Sequence, residues 1–207
     1  MAADGPSQLL VIADFDYTLT PYYTPKGEHA HSCHGIISGS GFLGPEFQAK
    51  ANALFQQFYP IEISPLLTHD EKEPHMIEWF VIHPFLLVVH FKTHFAQVGA
   101  LIHCHNKNTA VVRDTPFWDE CHSRRNVVLL GDSIGDVNMT EGLDGKEVLR
   151  IGFLNTHIEE RMAEYLSLYD VVIVNDGTLH FAHVVVDLIT RPPSPPRSVA
   201  EVPLAGL

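Results

Sequence analysis

The feature that most constrains the fold of this chain is a short apolar run, Leu9 to Ala13, that ends abruptly in Asp14 and Asp16. An uninterrupted aliphatic run of this length is typical of a strand buried in a parallel sheet. In open α/β sheets, ligands bind beyond the carboxyl ends of the strands. The two aspartates are therefore predicted at a ligand-binding edge, where they could hold a hard cation such as Mg²⁺ or attack phosphorus.

A second run of the same design lies far downstream, where the strand-like residues 126–130 lead into Gly131, Asp132 and Asp136. By itself the first aspartate pair is typical of a turn, because Asp is common in turns. Two such strand ends side by side would instead form a pocket of four carboxylates. Without a cation these carboxylates would repel one another and raise their own pKa values. The two motifs together therefore favour a metal-centred site over two unrelated turns.

The two motifs resemble the DxDxT and GDxxxD motifs of the haloacid dehalogenase-like phosphohydrolases. Further segments narrow the resemblance to the cytosolic type III (pyrimidine) 5'-nucleotidase family. The segments similar to its cap and core are 59–63, 71–79, 101–108, 130–136, 151–155 and 169–174. The resemblance covers most of residues 8–190. It implies an α/β fold, a haloacid dehalogenase-like Rossmannoid parallel sheet with a shortened helical cap.

The resemblance also implies the catalytic residues. Asp14 corresponds to the nucleophile that takes the phosphoryl group. Asp16 corresponds to the general acid/base that protonates the leaving nucleoside oxygen and then activates water. Lys107 corresponds to the lysine that neutralises the bound phosphate and the nucleophile, as a point charge can. Phosphoryl transfer depends mostly on such positioning and charge neutralisation.

A metal site and a base site follow from the same resemblance. It implies an Mg²⁺ site whose oxygen ligands come from the four motif aspartates, Asp14, Asp16, Asp132 and Asp136. In the family the ligand at the position of Asp16 is its backbone carbonyl. Glu62 corresponds to the cap glutamate that binds the nucleotide base. The implied reaction is Mg²⁺-dependent hydrolysis of a pyrimidine or 7-methylguanosine 5'-monophosphate through an aspartyl-phosphate, which gives nucleoside and phosphate.

One departure from the family matters more than the matches. The family places a strand that ends in Ser-Ala-Gly, its motif II, between cap and core, and residues 80–98 contain no such segment. The chain could be a splice variant or gene model that skips coding sequence, or a divergent silent relative. Residues 80–98 could also supply a substitute phosphate site, with Thr93 as its hydroxyl. The first explanation is favoured, because the loss of a strand and its crossover leaves an awkward sheet topology.

Three other interpretations of the function stay open. The chain could be a catalytically silent shortened variant that binds Mg²⁺ or a partner protein. It could be a phosphatase for a different small phosphate ester. It could also be a zinc-binding module built on His29, His31, Cys33 and His34. That spacing matches no standard zinc pattern, so a solvated loop is favoured there.

Composition limits the partners. A net charge of −12 with 13 Lys+Arg residues argues against binding to a nucleic-acid polymer. The apolar run 85–89 is too short to cross a bilayer, and the N-terminus lacks the pattern of a signal peptide. The 3 cysteines suggest no disulfide framework and fit a reducing compartment. We therefore expect a cytoplasmic monomer that acts on a nucleoside 5'-monophosphate and binds neither nucleic acid nor membrane.

The pattern along the chain predicts its organisation. Residues 1–20 and 99–190 should form a Rossmann-like catalytic core, and 21–98 a partial helical cap with an atypical junction. The Pro-rich residues 191–207 should form a disordered tail. Within the cap, 21–43 is expected to be a linker.

Individual helices and strands follow from hydrophobic spacing. A capping box at Thr68 and Glu71 should open a cap helix that runs towards Phe80. Trp79 and Phe80 could stack on a base, but packing is favoured. The core should resume near 101–106, and a helix should follow Asp136 through Met139. The remaining predicted elements are strands over 9–14, 126–130, 148–153 and 171–174 and helices over 45–59, 157–168 and 179–189.

Overall fold

The fold is that of a computed structural model, which describes residues 1–39, 41, 43–64, 66–91, 107, 113, 115–143, 145–175 and 177–191. Three predictions lie outside these residues. They are the resumption of the core near 101–106, the junction residues 92–98 with the substitute hydroxyl of Thr93, and the tail beyond Arg191.

Four parallel strands form the centre of the fold. They lie in the order β1-β2-β3-β4, and their bounds are Leu9–Ala13, Asn126–Gly131, Glu147–Leu154 and Val171–Val174. Each neighbouring pair is parallel, with Ala13 opposite Leu130 and Leu130 opposite Ile151. The parallel α/β sheet predicted from the apolar runs is confirmed.

The second strand, β2, is buried on both faces of the sheet. Every residue of β2 is buried. Since successive side chains of a strand point to opposite faces, Val128 packs with Ile151 on one face and Val127 packs with Leu10 on the other. This placement puts β2 in the interior of the sheet, between β1 and β3.

Between β1 and residue 92, the described residues form three α-helices, and their bounds are Cys33–Gly39 (α1), Gly44–Glu62 (α2) and His69–Phe91 (α3). The predicted helix 45–59 is confirmed as α2. Phe58 and Trp79 are buried between α2 and α3, and their rings stack with centroids 5.9 Å apart. Trp79 therefore packs within the cap, as favoured from the sequence.

The start of α3 is fixed by the predicted capping box. Thr68 N donates to Glu71 Oε2 at 2.8 Å, and Glu71 N donates to Thr68 Oγ1 at 3.4 Å. Both bonds satisfy backbone donors that the helix itself leaves without partners. The helix continues past Phe80 to Phe91, so it is longer than the sequence pattern predicted.

The expectation of a linker over 21–43 is wrong in part. Residues Cys33–Gly39 form the short helix α1, and Tyr23 and His29 form an isolated antiparallel bridge. Ser32 Oγ accepts a hydrogen bond from Gly35 N at 3.1 Å, as a helix N-cap does. The Gly, His and Ser content of the segment obscured this helix.

The remaining helices lie around the sheet. They are α4 (Pro116–Cys121), α5 (Ile158–Leu168), α6 (His180–Thr190) and 3-10 helices at Ala2–Asp4, Pro6–Gln8 and Ile134–Thr140. The helices predicted over 157–168 and 179–189 are confirmed as α5 and α6, with bounds that differ by about one residue. The helix predicted after Asp136 is present but is of the 3-10 type. None of the helices in the described part of the chain is long and apolar enough to cross a membrane.

Candidate active site

Three carboxylates meet at the carboxyl edge of the sheet. Asp14 directly follows β1, and Asp132 and Asp136 follow β2. The pairing of the two strands continues past their ends, because Asp14 N donates to Leu130 O at 3.0 Å. One carboxylate oxygen from each aspartate lies within 4.8 Å of the others. The two aspartate motifs, which the sequence places far apart, therefore form one site.

Lys107 supplies the positive charge of this site. Its Nζ lies 2.6 Å from Asp14 Oδ1 and 2.6 Å from Asp136 Oδ1. Asp136 is fully buried, whereas Asp14 and Lys107 keep 19% and 27% of their side-chain surface exposed. Among the described residues, one ammonium group therefore accompanies three carboxyl groups in this cluster.

Asp136 is held by backbone as well as by Lys107. Its Oδ2 accepts hydrogen bonds from Asp132 N and Ser133 N, each at 2.9 Å. The Ser133 and Asp136 side chains form a capping box at the start of the 3-10 helix. Gly131 leaves room for this arrangement, since a Cβ there would lie 2.4 Å from Asp136 Cβ. The turn after β2 is therefore built around the Asp136 carboxylate.

The pKa values in the cluster reflect its excess of negative charge. Burial, and then the charges of Asp136 and Asp14, raise the pKa of Asp132 to about 8. Burial and Asp136 also raise the pKa of Asp14, although Lys107 opposes them. Burial alone would lower the pKa of Lys107, but Asp136 and Asp14 outweigh it and raise that pKa. Carboxylate oxygens crowded in this way are the donor set that a hard divalent cation prefers.

Asp16 is not part of this carboxylate cluster, which among the described residues contains Asp14, Asp132 and Asp136. Its Oδ1 instead accepts a hydrogen bond from Cys33 N, the first residue of α1, at 2.9 Å. A hydrogen bond to Asp16, followed by burial, raises the pKa of the Cys33 thiol. The carboxylate of Asp16 therefore faces the first segment of the cap.

Glu62 lies in the cap, at the C-terminal end of α2. Burial and the charge of Glu62 raise the pKa of Tyr59, while Arg161 of α5 opposes them. Glu62 is outside the carboxylate cluster, so the described structure brings together Asp14, Lys107, Asp132 and Asp136 but not the predicted base-binding residue.

Two residues of the site were missed from the sequence. Tyr165 of α5 and Tyr169, which follows that helix, donate from their hydroxyls to Asp132 O and Ser133 O, each at 2.5 Å. Both rings are buried. The available signal was the pair Gly131 and Gly152, because a glycine inside a strand often marks the close approach of another group.

Comparison with known proteins agrees with this architecture. A family model described as pyrimidine 5'-nucleotidase (UMPH-1) matches residues 17–99 and 91–190. The parallel sheet and its match to the solved structure of a nucleotidase define a parallel α/β fold. The chain belongs to the pyrimidine 5'-nucleotidase family, whose members are phosphoric monoester hydrolases. The resemblance inferred from the sequence is thereby confirmed.

Individual relatives have low sequence identity to this chain but align with most of its length. A 7-methylguanosine phosphate-specific 5'-nucleotidase of Rattus norvegicus is 28% identical over 260 residues, which cover 90% of this chain and 86% of the relative. A protein of Caenorhabditis elegans named putative cytosolic 5'-nucleotidase 3 is 29% identical over 268 residues. The alignment covers 91% of this chain and 71% of that relative. The crystal structure of cytosolic 5'-nucleotidase IIIB bound to cytidine has a TM-score of 0.79 at 23% identity, covering 91% of this chain and 88% of that one.

Proposed function

We propose that the chain is an Mg²⁺-dependent 5'-nucleotidase that hydrolyses nucleoside 5'-monophosphates through an aspartyl-phosphate on Asp14. The observation that carries this proposal is the position of Lys107 Nζ, 2.6 Å from both Asp14 and Asp136. A lysine held between a candidate nucleophile and a buried carboxylate at a sheet edge suits the binding of a phosphoryl group. Family membership supports the same class of substrate.

In the proposed reaction, an Asp14 oxygen attacks phosphorus and the bond from phosphorus to the nucleoside 5' oxygen breaks. Asp16 gives its proton to that leaving oxygen and then takes a proton from the water that hydrolyses the aspartyl-phosphate. Lys107 neutralises the nucleophile and the phosphoryl oxygens. The contact of Asp16 with Cys33 N holds its carboxylate towards the cap, where the leaving nucleoside would lie.

The cluster also fits a divalent metal ion, because among the described residues three carboxylates gather there with one ammonium group. We propose that the ion is Mg²⁺, held by Asp14, Asp132 and the Asp16 carbonyl, with Asp136 beside them. When bound, Mg²⁺ would neutralise charge on the phosphoryl group. Asp136 has both carboxylate oxygens engaged by Lys107, Asp132 N and Ser133 N. Its role would therefore be mainly to orient the lysine and the turn.

The substrate would be a pyrimidine or 7-methylguanosine 5'-monophosphate, with Glu62 accepting hydrogen bonds from an amino group of the base. The names of the rat and nematode relatives support this class of substrate and a cytoplasmic location. We propose the division made from the sequence, a core of 1–20 and 99–190 and a cap over 21–98. We also retain the proposals of a monomeric state and of no binding to nucleic acid or membrane.

A catalytically silent shortened variant that binds Mg²⁺ or a partner protein is the second candidate. The family model matches this chain in two segments, 17–99 and 91–190. These segments overlap near the place where motif II is missing. The alignment with the rat relative spans 260 positions although this chain has 207 residues. Both observations favour an internal loss of sequence. The intact arrangement of Asp14, Lys107, Asp132 and Asp136 favours the active enzyme.

Phosphate release from CMP, UMP and 7-methyl-GMP by purified protein tests the proposal. The assay would be run with Mg²⁺ and with EDTA, beside Asp14→Asn. Release that requires both Mg²⁺ and Asp14 is expected. A folded protein that releases no phosphate from any of the three would contradict the enzyme and favour the silent variant, which Mg²⁺ binding by the same sample would then characterise.

A further inference from the structure

The turn that carries Asp132 is fixed on both sides of its backbone. On one side, Asp132 N and Ser133 N donate to Asp136 Oδ2. On the other side, the carbonyl oxygens of the same two residues accept hydrogen bonds from Tyr165 and Tyr169 at 2.5 Å. Burial raises the pKa of Tyr165 to about 12 and also raises the pKa of Tyr169. Both hydroxyls are therefore neutral donors at physiological pH.

The two neighbouring strands are shaped to admit Tyr169. Gly131 of β2 and Gly152 of β3 lie opposite each other in the sheet register. A Cβ at Gly152 would lie 2.7 Å from the Tyr169 ring, and a Cβ at Gly131 would lie 2.9 Å from its hydroxyl oxygen. The paired glycines therefore provide the space through which Tyr169 reaches the Ser133 carbonyl. Tyr165 in α5 and Tyr169 just after it thus both contact the turn that follows β2.

We propose that Tyr165 and Tyr169 are positioning residues, whose hydroxyls hold the Asp132–Ser133 backbone so that the Asp132 carboxylate is presented to the divalent cation. This inference rests on the metal site of the proposed function. Neither tyrosine touches substrate or the reacting atoms. Each acts through the turn that Asp132 occupies, because the orientation of that side chain follows from its own backbone.

A purely structural role is the competing explanation. The two rings are buried and stack with centroids 5.6 Å apart, and a buried tyrosine hydroxyl usually finds some partner. The replacement of tyrosine by phenylalanine separates the two roles, because it keeps the ring and removes only the hydroxyl. A structural role would change unfolding stability, whereas the positioning role would also change cation affinity and local backbone protection.

The test uses Tyr165→Phe, Tyr169→Phe and their double variant in the full chain. Mn²⁺, a paramagnetic substitute for Mg²⁺, would be titrated into each and its free fraction measured by electron paramagnetic resonance. We expect each single variant to bind Mn²⁺ about two- to tenfold more weakly, the loss that one hydrogen bond of ordinary strength produces. Hydrogen exchange of the Asp132 and Ser133 amides should be faster in every variant, with or without cation.

Ser167→Ala is the matched control, since Ser167 lies on the same helix and its hydroxyl donates only to Glu164 O among the described contacts. It should change neither Mn²⁺ binding nor amide exchange in the turn. If the tyrosine variants changed neither Mn²⁺ binding nor amide exchange, this inference alone would be overturned. Absence of Mn²⁺ binding by the unaltered chain would overturn the proposed metal site and this inference together.

Discussion

Lys107 Nζ lies 2.6 Å from Asp14 Oδ1, although the two residues are 93 positions apart in the sequence. The same ammonium group contacts the buried carboxylate of Asp136. Lys107 thereby links the turn after the first strand to the turn after the second strand. With Asp132, four titratable groups of the described residues lie together at this edge of the sheet.

Asp14→Asn should abolish phosphate release. An amide is a far weaker nucleophile than a carboxylate, so we expect a decrease in kcat of about a thousandfold or more. The fold should persist, because the change removes one negative charge from a cluster that has an excess. Steady-state phosphate assays and circular dichroism provide the measurements. Asp119→Asn, on the exposed surface of α4, is the control. Near-normal turnover by the Asp14 variant would contradict the assignment of the nucleophile.

Lys107→Met should destabilise the metal-free protein. The change leaves the buried Asp136 and the partly buried Asp14 without their counter-charge. Because the lysine itself is partly exposed, we expect a loss of about 1–3 kcal/mol in the free energy of unfolding, below the full cost of breaking a buried pair. Urea denaturation in EDTA measures this loss.

Lys50→Met provides the comparison for that experiment. It breaks an ion pair between Lys50 and Glu46 at 2.9 Å in which both side chains are largely exposed. Such a pair contributes about 0.5 kcal/mol or less. Equal effects of the two substitutions would mean that the Lys107 contacts add nothing beyond an ordinary surface pair.

The metal-free protein should lose stability as the pH rises from about 4 to about 8. Asp132 has a pKa of about 8 in the folded chain, against an ordinary value of 3.8. Between these values the folded chain keeps a proton that the unfolded chain has released, so folding is progressively disfavoured. Urea midpoints in EDTA across this range would show the slope. Mg²⁺ or Asp132→Asn should flatten it, and an unchanged slope in Asp132→Asn would contradict the assignment.

Gly131→Ala should destabilise the fold by about 3 kcal/mol, at the upper end of the cost of overpacking. Its Cβ would lie 2.4 Å from Asp136 Cβ and 2.9 Å from the Tyr169 hydroxyl. Neither buried group can move without loss of its hydrogen bonds. Gly39→Ala, in α1 with open space around its Cβ position, is the control and should be neutral or slightly stabilising. Thermal denaturation of both variants makes the comparison, and matching midpoints would contradict the packing argument.

The strands and the carboxylate-bearing edge of the sheet could be predicted from the sequence because the signals for them are local. The apolar run before Asp14 and the run before Asp132 each specify a buried strand and a polar turn at its end. The capping box of Thr68 and Glu71 is equally local, with both partners within one helical turn. The resemblance to the family identified Lys107 as a candidate site residue without any structural information.

The tertiary structure decided how those pieces meet. The Tyr169 hydroxyl reaches the Ser133 carbonyl because Gly131 and Gly152, which lie opposite each other on adjacent strands, leave space for its ring and hydroxyl. No local pattern encodes such a contact, because it depends on strand register and helix packing at once. The sequence by itself thus determined which residues carry charge at the sheet edge. Packing determined which of them share a counter-charge and which backbone groups hold them in place.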